Sequence, residues 1–147
     1  MCLLDAVVAW DDARIVCQTG SHRAPDHPLR AQGRLGAACG VELAAQAMAV
    51  HGALLAEREP DGGRATPRGG VLASVRSVNL YVQRLDTIAI DLTVTAERLL
   101  GDANHVLYGF RIEAGAQLLL EGRAAVVLDM ALLQQADGPT EHSGDSP

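Results

Sequence analysis

The chain contains no lysine, so all twelve of its basic side chains are arginine. That absence excludes Schiff-base chemistry, a phosphate-gripping Walker lysine and Ser–Lys nucleophilic pairs. Aromatic residues make up only 3% of the sequence, too few for the stacking platforms that bind single-stranded nucleic acid. A net charge of −6 argues equally against phosphate-backbone binding, so no nucleic-acid partner is expected. Three cysteines, Cys2, Cys17 and Cys39, are odd in number and widely spaced. They form neither a disulfide framework nor a metal-ligand pattern, and a reducing cytoplasm is the compartment expected for them. The opening MCLLDAVVAWDD lacks a basic stretch and meets acids early, unlike a signal peptide. No apolar run is read as reaching the ~20 residues of a bilayer span, so no membrane insertion is expected.

What is present is 147 residues, 48% of them hydrophobic, enough for one domain with a core of Ala, Val and Leu. Residues 6–10 and 15–19 flank Asp11-Asp12-Ala13-Arg14 and read as a hairpin. A loop rich in Pro, His, Arg and Gly covers 20–36. Residues 37–58 are Ala-rich and free of Pro, which predicts a long helix. The stretch 59–70 (EPDGGRATPRGG) reads as a mobile linker. Residues 71–82 alternate, but the phase slips at Arg76-Ser77, where a β-bulge is expected. In 88–97, Ile88, Ile90, Leu92, Val94 and Ala96 face one way and Asp91, Thr93, Thr95 and Glu97 the other, predicting a strand. Strands at 106–112 and 118–128 follow, with turns at 101–104 and at Ala114-Gly115-Ala116. A single domain over residues 1–129 and a flexible tail over 130–147 are expected. Hairpin, helix, then consecutive antiparallel strands is an α+β order, and a helix apolar almost all round calls for a curved sheet wrapped about it. That arrangement is the hotdog fold.

Between Ala37 and Ala56 the polar side chains are only Glu42, Gln46 and His51, with Cys39 a small near-hydrophobe. Glu42 and Gln46 stand one turn apart on one face, continued by Ala49 and Ala53. A carboxyl in such surroundings either pairs with an arginine, sits at a solvated notch, or keeps its proton and serves as a general acid. His51 reads as a core or interface histidine. In Ser21-His22-Arg23-Ala24-Pro25-Asp26-His27-Pro28, His22 enters a loop directly after a strand, a usual place for a general base, and His27 is the alternative. Backbone N–H groups of Gly36, Ala37 and Ala38 are expected to be unpaired first-turn donors, able to polarise a thioester carbonyl. Such a site needs no metal and no organic cofactor.

Leu3-Leu4-Asp5, the His22 loop and Gly40-Val41-Glu42-Leu43-Ala44-Ala45-Gln46-Ala47 together resemble the 3-hydroxyacyl-acyl-carrier-protein dehydratases of fatty-acid synthesis. They are closer still to the divergent dehydratases of aryl-polyene gene clusters, and the resemblance covers roughly residues 3–128. In that family a helix carries an acid followed four residues later by Gln, as Glu42 and Gln46 do. A His-Phe-Pro loop precedes the helix, and here Arg23-Ala24 follow His22 instead. The resemblance implies that His22 takes the α-proton of a 3-hydroxyacyl thioester and that Glu42 of a second protomer protonates the departing hydroxyl. Gln46 would orient the carboxyl or a water. It implies an acyl carrier protein or acyl-CoA thioester as partner, and a homodimer or a heterodimer with a second hotdog dehydratase. A hotdog thioesterase, a non-catalytic subunit of a heteromeric dehydratase and a ligand-binding module remain alternatives. Arg23, Arg30 and Arg34 in the loop, or Arg64 and Arg68 in the linker, are candidate docking patches for an acidic carrier.

Overall fold

A computed structural model describes residues 3–58, 71–101 and 105–127. The linker at 59–70 and the tail from 130 therefore lie outside the described residues, as does most of the turn at 101–104. Strands β1 (Ala6–Trp10) and β2 (Arg14–Thr19) form the expected hairpin. Asp11 caps its turn by accepting the Ala13 and Arg14 N–H groups at 2.8 and 2.9 Å. A 3₁₀ turn at Ala37–Cys39 then leads into helix α1 (Gly40–Arg58). Four strands follow: β3 (Val71–Leu80), β4 (Leu92–Gly101), β5 (His105–Ala114) and β6 (Gln117–Val127). All pairings are antiparallel in one six-stranded sheet ordered β1-β2-β4-β5-β6-β3. The helix thus carries the chain from the β2 side of the sheet to its far edge.

Alternation decides which face the sheet buries. In β5, Val106, Tyr108, Phe110, Ile112 and Ala114 are buried, with less buried residues between them. Against this face α1 lays Leu43, Ala44, Ala47, Met48 and His51, a stripe at helical spacing. Fully burying a side chain such as Leu43 or Met48 stabilises by about 1.5–3 kcal/mol. Gly40 lets the helix start approach closely: a Cβ there would meet Leu120 Cδ2 at 2.8 Å and Ile112 Cδ1 at 2.9 Å. Gly115, at a φ of +59°, closes the two-residue turn between β5 and β6.

One side of the helix packs on the sheet, while Glu42, Ala49 and Ala53 on the other remain exposed. The structure corrects the sequence reading in two places. Residues Ala37–Glu57, which contain an 18-residue stretch of mean hydropathy 1.3, are in fact long and apolar enough to span a bilayer; here one side of that segment serves as the core helix. The strand expected at 88–97 begins only at Leu92, and Ile90 is exposed. Before Leu92 the backbone is engaged elsewhere: Gly36 bridges Arg84, and the Ala89 carbonyl accepts from Arg23. At the phase slip in β3 the register does shift, between Arg76 and Asn79, and Ser77 takes a left-handed φ of 57°.

Candidate active site

Strand β2 ends in a knot of hydrogen bonds that fixes the loop after it. Thr19 Oγ1 and Ser21 Oγ both donate to the Leu3 carbonyl, at 2.6 and 2.8 Å, and Asp5 accepts the Gly20 N–H at 2.7 Å. A 3₁₀ turn at Ser21–Arg23 follows and turns His22 inward, where it is wholly buried. Its Nε2 lies 3.0 Å from the Ile88 carbonyl oxygen. A carbonyl only accepts, so this nitrogen carries the hydrogen and Nδ1 keeps the lone pair. Nδ1 is buried and has no partner among the described residues. Burial, aided by the Arg23 charge, pulls the His22 pKa below the ordinary 6.5, against the opposing pull of the Ile88 carbonyl. The ring is therefore neutral at neutral pH, with its basic nitrogen uncommitted.

His27 is buried too, but in the opposite hydrogen-bonding state. Its Nδ1 accepts the Leu29 N–H at 3.1 Å, which leaves the hydrogen on Nε2, buried without a partner. Burial, then the nearby Arg30 charge, lowers its pKa. Its lone pair is already engaged, so His27 offers a donor where the sequence reading had it as the alternative base.

The loop over 20–36 is clamped to the segment between β3 and β4. Ala37 N–H donates to Gln83 O at 2.9 Å and Leu85 N–H to Leu35 O at 2.8 Å. Arg23 pairs with Asp91 at 2.6 Å on the surface. Arg30 points inward, donating to the carbonyls of Ala24, Gly33 and His22. It is thus a structural brace and not the docking residue expected. The Arg84 guanidinium and then the Leu35 N–H hold the Asp86 carboxyl well below the usual range. Asp86 was not singled out in sequence, and Arg30 only as a docking candidate, since nothing local marks residues that meet 56 positions apart.

On α1, Gln46 Oε1 accepts the Leu3 N–H at 2.7 Å, which turns its amide nitrogen toward Glu42 Oε2 at 3.5 Å. Glu42 is exposed in the single chain, the solvated position that the sequence left open for it. Among the described residues no hydrogen bond or ion pair joins His22 to Glu42 within one chain. At the helix start, Ala37 is corrected: its N–H is spent on Gln83 and is not a free donor. Gly36 and Ala38 retain N–H groups with no acceptor among the described residues. No group of three His, Cys, Asp or Glu side chains able to hold a metal occurs among the described residues.

One long helix laid across a six-stranded antiparallel sheet, with a buried histidine on the loop leading to it, defines a hotdog protein. ApeP dehydratase, the ApeP-like family, matches residues 1–135, and the chain belongs to that family. Among solved structures it is similar to the dehydratase heterocomplex ApeI:P from Xenorhabdus doucetiae, at 22% identity and a TM-score of 0.78. That match covers 92% of this chain and 89% of the other. A thioesterase from Haemophilus influenzae matches at 15% identity and a TM-score of 0.58, over 82% of this chain and 75% of that one. A hypothetical thioesterase with coenzyme A from Streptococcus pneumoniae matches at 14% and 0.60, over 84% of each chain. No curated protein matches the chain.

Proposed function

We propose that this chain dehydrates a 3-hydroxyacyl thioester to the trans-2-enoyl thioester, in fatty-acid or polyene-type biosynthesis, with His22 as the base. The observation that carries the reading is the state of His22: buried, its Nε2 tied to the Ile88 carbonyl, its Nδ1 lone pair free. In the reaction Nδ1 takes the proton from the carbon beside the thioester carbonyl. The electron pair left behind forms the Cα–Cβ double bond as the Cβ–O bond breaks. A proton from an acid converts the departing hydroxyl into water. Glu42, steadied by Gln46, is that acid in the reading where the adjoining subunit is a second copy of this chain; where it is a different hotdog subunit, that subunit supplies the acid to His22. Gly36 and Ala38 N–H groups are the donors left to hold the thioester oxygen.

The adjoining subunit is proposed to be a second copy of this chain or, by analogy with the ApeI:P heterocomplex, a second hotdog dehydratase, and the acyl group to arrive on a carrier protein or coenzyme A. Support for a partner comes from the side of α1 that carries Glu42, Ala49 and Ala53, which its own sheet leaves uncovered. The test is a purified chain, alone and co-expressed with a second hotdog subunit, given a 3-hydroxyacyl thioester while enoyl absorbance is followed. Dehydration lost in His22→Asn supports the base. Full activity in that variant refutes it, and release of free thiol in place of enoyl product moves the reading to hydrolysis.

A further inference from the structure

Arg30 stands outside the chemistry yet reaches the residue that the chemistry needs. Its side chain is only 15% exposed. Nε donates to Ala24 O at 2.8 Å, Nη1 to Gly33 O at 2.8 Å and Nη2 to His22 O at 3.2 Å. One guanidinium therefore gathers three carbonyls of the loop that bears the histidine. A lysine ammonium, compact and on a flexible stem, cannot span them in this way. Nη1 also lies 3.8 Å from Asp86 Oδ2, and the Asp86 side chain is 6% exposed. Asp86 in turn accepts the Leu35 N–H at 3.0 Å and is gripped by the Arg84 fork. Two residues further on is Ile88, whose carbonyl holds the His22 ring. The backbone of His22 and the group that orients its ring are thus joined through Arg30 and Asp86.

We propose that Arg30 and Asp86 are positioning residues that keep His22 Nε2–H on the Ile88 carbonyl, so that Nδ1 stays the unprotonated nitrogen. A pair of largely buried charges serves folding poorly compared with apolar side chains of similar volume. Its geometry here instead fixes one tautomer, which a general base requires. The kinetic consequence rests on the proposed role of His22; the tautomer does not.

The experiment uses the full chain, with its partner subunit for kinetics, and the variants Arg30→Lys, Arg30→Gln and Asp86→Asn. Nitrogen NMR of the His22 ring in the parent is expected to show a pyrrole-type Nε2 and a pyridine-type Nδ1. In the variants the two resonances should move toward each other as the tautomers mix. The kcat for dehydration should fall about ten- to a hundredfold with KM nearly unchanged. Arg30→Lys, which keeps the charge but not the fork, should not restore it. Folded variants whose His22 resonances match the parent overturn the proposal. Failure of all three variants to fold also overturns it, by assigning the pair to stability alone. If instead the ring resonances shift but the parent dehydrates nothing, positioning stands and the enzymatic reading fails.

Discussion

Tyr108 places its hydroxyl 2.7 Å from Nδ1 of His51, and the two rings meet edge to face with centroids 5.7 Å apart. Nε2 of the same histidine donates to the Asp11 carbonyl at 2.8 Å. Because that carbonyl fixes the hydrogen on Nε2, Nδ1 is the acceptor and the tyrosine must donate. One imidazole thereby ties the helix to the middle of β5 and to the hairpin turn. Burial pushes the Tyr108 hydroxyl up to about 12, so it keeps its proton at any working pH.

Tyr108→Phe should therefore destabilise the fold by about 1–3 kcal/mol, the cost of a buried acceptor left unpaired. Denaturant unfolding should show a lower midpoint with an unchanged slope. A midpoint equal to the parent's would mean that His51 finds another donor.

Burial also sets the pH behaviour of His22. In the proposed reaction the neutral ring is the base, and burial holds its pKa below 6.5 in the folded chain. The acid limb of kcat/KM should accordingly fall below pH 6.5, with the rate complete at neutral pH and lost as pH drops through the folded-state value. Stability follows the same sign: the unfolded chain binds the proton more readily, so folding weakens as pH falls from about 6.5 toward the depressed pKa. His27, shifted in the same direction, adds to this loss. A pH profile whose acid limb sits above 6.5 would contradict the burial of the base.

Much of the architecture was legible because it rests on local periodicity. The alternation of β5, the Asp11 turn and the slip at Arg76-Ser77 are properties of adjacent residues, and each appears in the fold. The helix stripe was less legible. Ala49 and Ala47 are chemically identical, yet only Ala47 is buried, because composition does not say which side meets the sheet. The orientation of His22 was not legible at all, since Ile88 lies 66 residues away. The alternation at Ile88 and Ile90 continues the phase of β4, but clamping by the 20–36 loop diverts that backbone from the ladder.

Gly40→Ala sets two effects against each other. Alanine favours a helix over glycine by about 1 kcal/mol. The new methyl, however, would stand 2.8 Å from Leu120 Cδ2 and 2.9 Å from Ile112 Cδ1, and both of those side chains are fully buried. Overpacking of that kind costs about 1–3 kcal/mol, so the variant should be less stable. An increase in melting temperature would show that the helix start can retreat from the sheet.

Glu42→Gln separates structure from chemistry on the helix. The carboxyl is exposed and, among the described residues, is met by Gln46 at a long 3.5 Å, so the isolated chain should keep its stability to within about 0.5 kcal/mol. An amide of the same shape cannot release a proton to a departing hydroxyl. If Glu42 is the acid, dehydration by the assembled protein should fall about a hundredfold or more, with substrate binding retained. The assay must be run on the assembly, because within one chain the carboxyl is not joined to His22. Undiminished turnover by the variant would assign the acid to the second subunit, leaving this chain to supply the base alone.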